Sequence, residues 1–75
     1  MKIIEEPPAE FDHEPTVKYS VIRTTAKKVV QYCRGIKNAC AIPRRRVVVI
    51  DEAIKGDERD EIMRHEKAHI NGWKH

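Results

Sequence analysis

The sequence predicts an α+β domain: a small three-stranded sheet with a backing helix and a C-terminal helix that carries the chemistry. Three observations predict it. Apolar and polar residues alternate over residues 16 to 23, and apolar residues then recur at helical spacing from Ala26 to Cys33. An unbroken apolar run, Val47-Val48-Val49-Ile50, precedes a stretch that opens with acids and closes at Gly72. With 75 residues there is room for one domain, expected over residues 16 to 75 behind an acidic, proline-rich segment at 1 to 15. A domain this small buries only roughly 60% of its unfolded surface, so a metal, disulfide or partner is a common support.

Each element follows from its residues. Pro7, Pro8 and Pro15 punctuate the N-terminal segment, which offers only Ile3, Ile4 and Phe11 for burial. It is read as extended or irregular, pinned if anywhere at Phe11. In the first strand Val17, Tyr19 and Val21 share the expected buried face and Lys18 and Ser20 the other. Thr24 or Thr25 caps the first helix, whose stripe is Ala26, Val29, Val30 and Cys33, and Gly35 ends it. Residues 38 to 42 (Asn-Ala-Cys-Ala-Ile) form a short strand of small residues stopped by Pro43. Arg44-Arg45-Arg46 reads as a charged loop leading into the Val47–Ile50 strand, whose run of apolar residues implies a central position. Asp57 is the expected N-cap of the last helix, with Glu58, Asp60 and Glu61 at its positive end. That helix should run to about Asn71, and both helices are expected on one side of the sheet.

Composition narrows the function classes. At 40% hydrophobic and 36% charged, the chain is neither disordered nor membrane-embedded, and no run approaches the ~18 apolar residues of a spanning helix. The opening meets acid and proline before a signal-peptide core could form, so a cytoplasmic location is expected. The net charge of +3 hides an asymmetry: residues 1 to 15 hold Glu5, Glu6, Glu10, Asp12 and Glu14 against Lys2, and the remainder is strongly basic. An acidic leader beside a basic body is either a solvated tail, the default for a terminus, or an arm that folds back. Cys33 and Cys40 lack the spacing of a zinc knuckle or redox pair, so reduced thiols are the default and a disulfide the alternative.

The last helix reads His65-Glu66-Lys67-Ala68-His69-Ile70-Asn71-Gly72-Trp73-Lys74-His75. Spacing i, i+4 sets two imidazoles one turn apart on one face, where they can share a metal ion, and zinc suits such ligands. Glu66 lies beside that face, placed to take a proton from a water on the metal. Gly72 turns the chain so that His75 can offer a third nitrogen, with its own α-carboxylate or a water as alternatives.

This pattern resembles the extended zinc motif HExxHxxGxxH of the metzincin metallopeptidases, matched at all five defined positions. The resemblance implies a minimal zincin-like fold, similar to short metallopeptidases of bacteria and phages. It implies zinc held by His65, His69 and His75, peptide-bond hydrolysis by a zinc-activated water, and Glu66 as general base. It further implies an edge strand whose residues Asn38, Ala39, Cys40 and Ala41 bind a peptide substrate as an added strand. A plain short edge strand packed under the helix is the alternative. This chain stops at His75, so no Met-bearing turn or primed-side subdomain is expected. Tyr19, Tyr32 and Arg44 to Arg46 are the remaining candidates for steadying an oxyanion. Trp73 either packs under the turn and holds His75 or forms a substrate wall; Asp12-His13-Glu14 either masks the metal or belongs to a solvated tail.

Two further classes stand beside the peptidase. One is a non-catalytic module whose zinc stabilises a small core. The other is a basic nucleic-acid binder, disfavoured by scattered basic residues and only four aromatics. A peptide or protein is the expected partner, no membrane is expected, and monomer and dimer both stay open.

Overall fold

A computed structural model describes residues 6–74 and shows the α+β architecture: a three-stranded mixed sheet and two helices. Strand β1 spans Ser20–Thr24, helix α1 Ala26–Tyr32, strand β2 Ala39–Ile42, strand β3 Val47–Asp51 and helix α2 Gly56–Ile70, with a 3-10 turn at Pro43–Arg45. The sheet order is β1-β3-β2, with β1 parallel and β2 antiparallel to β3. The valine run is therefore central, as its composition implies, and Val48, Val49 and Ile50 are buried. No helix among the described residues is long and apolar enough to cross a membrane.

Because alternate residues of a strand face opposite ways, β3 buries two separate clusters. Val49 joins Val29 and Cys33 of α1 and Cys40 of β2, with Ile22 packed against them. Ile50 joins Ala39, Ile54 and Ile62, the last from α2. The helices therefore cover opposite faces of the sheet and not one, the outcome a strand apolar on both sides demands. Burying Val29 and Val49 completely contributes roughly 1.5–3 kcal/mol each.

The expected inward face of the first strand is also corrected. Ile22 pairs in register with Val49 and shares its cluster, whereas Val21 and Val17 are exposed. Adjacent apolar residues Val21 and Ile22 fit either alternation, and the pairing with β3 selects Ile22. Thr25 caps α1, its hydroxyl accepting from the Lys28 amide at 3.4 Å. The chain enters the left-handed region already at Arg34, one residue ahead of Gly35. Helix α2 begins two residues earlier than its acids suggest: Lys55 and not Asp57 is the N-cap, and Asp57 and Glu58 lie in the first turn.

The two cysteines are joined, which overturns the expectation of reduced thiols. Cys33 ends α1 and Cys40 lies in β2, with Cα atoms 5.8 Å apart, inside the bridging range. Left-handed Arg34, Gly35 and Asn38 reverse the chain between them. Both sulfurs lie in the α1 cluster, so the bridge is part of the core.

From residue 6 onward the leader is no solvated tail, residues 1 to 5 falling outside the described part. After a turn in which the Phe11 amide donates to the Pro8 carbonyl, it runs along α2. Arg64 donates to both Asp12 oxygens, Lys67 to Glu14 at 2.9 Å, and the Tyr19 hydroxyl to Glu14 at 2.6 Å. The Arg64 guanidinium holds the Asp12 carboxyl below its ordinary range, and Tyr19 and Lys67 do the same for Glu14. The Asn71 side-chain amide donates to the carbonyls of Phe11 and His13, both at 2.8 Å. The acid-rich arm and the basic side chains of α2 are thus complementary, the second of the two readings its charge allowed.

Candidate metal centre

Helix α2 is oriented by its ends: acids in the first turn and Lys67 and His69 in the last both complement the helix dipole. Its Ile62 packs into the Ile50 cluster, and His65 and His69, three and seven positions further along the same face, lie across from Ala39, Cys40 and Ala41 of β2. The i, i+4 spacing does what the sequence implies. The two Nε2 atoms are 3.2 Å apart, and the rings meet edge to face with centroids 4.8 Å apart.

A hydrogen bond that the sequence reading missed fixes the second imidazole. His69 Nδ1 lies 2.7 Å from the Trp73 carbonyl. A carbonyl only accepts, so Nδ1 carries the hydrogen, and in the neutral ring Nε2 then presents its lone pair toward His65. Histidines that bind metals are commonly oriented this way. Gly72, the second residue past the helix, takes a left-handed φ of 111°, and the next carbonyl comes back to residue 69; the glycine marks the turn in the sequence, but not which carbonyl it returns. The Trp73 ring itself is buried, stacks on His69 at 4.7 Å and meets His65 edge-on at 5.0 Å. It packs against both imidazoles and borders the site, while its expected hold on His75 falls outside the described residues.

Glu66 is buried, with only 8% of its surface exposed. Burial pushes its carboxyl above the ordinary value of 4.5, partly offset by attraction to His65. Donor atoms of His65, Glu66 and His69 all fall within 4.8 Å of one another, so this group can hold a metal ion. His75, the expected third ligand, lies outside the described residues.

The site opens onto a cavity of about 370 Å³. Ala39, Cys40 and Ala41 of β2 form one wall and His65, Glu66 and His69 the other. Asn38 is not part of that wall: it takes a left-handed φ of 73° before the strand begins, and its carbonyl accepts from the Asp51 amide. Strand β2 is an edge of the sheet, so its outer side is unpaired with any other strand of the described chain. The oxyanion candidates lie elsewhere. Tyr19, Arg45 and Arg46 line a separate depression with Val17 and Lys18. Asp12, His13 and Glu14 sit on the Arg64–Lys67 flank of α2 and do not line the cavity. Lys74 does border it and brings a cation.

The buried carboxyl has a consequence for stability. A carboxyl raised above its unfolded value favours the native state when protonated, so its ionisation weakens the fold as pH rises past 4.5. With metal removed by a chelator, Glu66→Gln should melt higher than the parent at neutral pH. The gap should close as pH falls below 4.5, where both side chains are neutral. Thermal melts across this range check it; a gap that does not change with pH contradicts it.

Comparison with family models, with characterised proteins and with solved structures returns no match for this chain.

Proposed function

We propose that this protein is a zinc-dependent metallopeptidase. The observation that carries the reading is the paired imidazoles beside a buried carboxylate, at a cavity whose far wall is an open sheet edge. Two nitrogens about 2.0–2.1 Å from one tetrahedral zinc stand about 3.3 Å apart. The observed 3.2 Å between His65 and His69 fits that separation without rearrangement. His65 and His69 would hold the ion, with His75 as the third ligand that the motif implies.

A bound zinc supplies Lewis acidity: it lowers the pKa of a coordinated water to about 7 and polarises a carbonyl. The chain's own part is proton transfer and placement. Glu66 would accept the proton of the attacking water and return it to the departing amine as the C–N bond breaks. Its upward-shifted pKa suits that double role, since a carboxyl closer to neutrality both accepts and returns a proton readily. The outer edge of β2 offers backbone groups on which an extended peptide can lie, and Ala39 and Ala41 keep the approach shallow.

The alternative, a zinc that merely staples a small core, is less well supported. Both hydrophobic clusters close without the imidazoles, and the Cys33–Cys40 bridge already supplies a covalent staple. The test is cleavage of a quenched-fluorescent peptide library by untagged, oxidised protein. We expect turnover that EDTA abolishes and zinc restores; a zinc-loaded protein that cleaves nothing contradicts the proposal.

A further inference from the structure

The leader and the metal centre meet at one residue. Asn71 is the first residue beyond α2, two positions past His69 and two before Trp73. Its backbone amide donates to the Lys67 carbonyl and so continues the helix, while its side chain turns outward and donates to two leader carbonyls, Phe11 and His13. Next to it Gly72 turns left-handed, and the Phe11 ring lies 3.9 Å from where a side chain on that glycine would begin. Beyond Gly72 the Trp73 amide returns to the Ala68 carbonyl, and the Trp73 carbonyl receives His69 Nδ1–H. A continuous set of contacts therefore runs from the leader through Asn71 and Gly72 to the imidazole.

We infer that Asn71 is a positioning residue for the metal site: its amide clamps the leader onto the turn whose Trp73 carbonyl holds the His69 ring. The physical case rests on the end of the helix. Carbonyls of a last turn lack helical partners and fray unless something external fixes them. Here the Lys67, Ala68 and His69 carbonyls accept from the Asn71, Trp73 and Gly72 amides, and the leader, held on α2 by Arg64–Asp12 and Lys67–Glu14, anchors that capping turn through the Asn71 side chain. Asparagine suits the place because its two N–H groups meet two carbonyls at once. An aspartate of the same shape would direct an oxygen at both. Without the clamp the turn gains freedom, and the His69 ring is no longer held with Nε2 toward His65. Outer partners of metal-binding histidines typically tune affinity 10- to 100-fold.

The inference rests on the zinc-binding half of the proposed function, and the experiment separates the two. Zinc affinity of the untagged full chain is measured by competition with a chelating dye, at a temperature where circular dichroism shows each variant folded. Asn71→Asp and Asn71→Ala should each bind zinc about tenfold or more weakly than the parent. In the metal-free protein the slowly exchanging His69 Nδ1–H resonance should broaden or vanish in both. Parent and variants with equal affinity and an intact resonance overturn the inference alone. A parent that binds no zinc overturns the functional reading and the inference with it. Should both Asn71 variants fail to fold, Asn71→Ser, whose single hydroxyl can donate to only one of the two leader carbonyls, is measured in the same way, and its equality with the parent is likewise decisive against the inference.

Discussion

Glu66→Gln should cost two to four orders of magnitude in kcat, roughly the share that a positioned acid–base group contributes, while zinc content stays at the parent level. The change keeps the shape of the side chain and removes only its ability to take and return a proton. Because Glu66 is one residue from His65 and not in line with the two imidazoles, its loss leaves His65 and His69 where they are. KM should change little, since the cavity wall of Ala39, Cys40 and Ala41 is untouched. Single-turnover kinetics beside a zinc count on the same sample make the comparison. Undiminished turnover in this variant contradicts the assignment of Glu66 as base. Loss of zinc together with turnover assigns the carboxylate to the metal as a ligand instead.

Removing the disulfide should be the largest single loss of stability in the chain. Cys33 and Cys40 are seven positions apart, and closing a loop of that length stabilises the fold by about 2–3 kcal/mol in the chain-entropy account. For a domain of this size that corresponds to a melting temperature lower by about 10–20 °C. The effect is large because folding stability in small domains is itself only about 5–15 kcal/mol. Both positions are buried, so the test uses Cys33→Ala with Cys40→Ala, which avoids placing new hydroxyls in the α1 cluster. The bridge also ties β2, one wall of the cavity, to α1, so the double variant should lose peptide affinity before it loses zinc. A melting temperature unchanged by the double substitution contradicts this account of the core.

The fold was legible where local pattern and tertiary demand agree. Four consecutive β-branched residues at 47 to 50 can only be a strand buried on both sides, and β3 is that strand. The same four residues also implied a helix on each face, a consequence the sequence reading did not draw. The inward face of β1 was not legible, because Val21 and Ile22 are equally apolar neighbours and only the register with Val49 chooses between them. The leader was misjudged because its binding partners are more than fifty residues away: Asp12 meets Arg64 and Glu14 meets Lys67. Its charge was a signal, but composition alone does not say which basic residues an acidic arm will meet. The disulfide escaped for a similar reason, since its geometry depends on three left-handed residues, two of them not glycine.

Within the site, side chains were easier to identify than backbone. His65, Glu66 and His69 are fixed by helical periodicity, and the structure brings them together. The Trp73 carbonyl that orients His69 has no identity in sequence, being a group every residue possesses. Asn71 was passed over as a helix terminus, because its two acceptors belong to Phe11 and His13 at the other end of the chain. Asn38 was grouped with the strand that follows it, although its left-handed backbone sets it outside the strand and away from the cavity wall.

The central claim is that His65 and His69 hold one catalytic metal ion. Native mass spectrometry of the untagged, oxidised protein, supplied with zinc and then challenged with a chelator, tests it most directly, because it counts the bound ions per chain. The account predicts one zinc per chain in the parent and none retained in His65→Ala or His69→Ala. A folded parent that carries no zinc, or a zinc that survives both histidine substitutions, would contradict it.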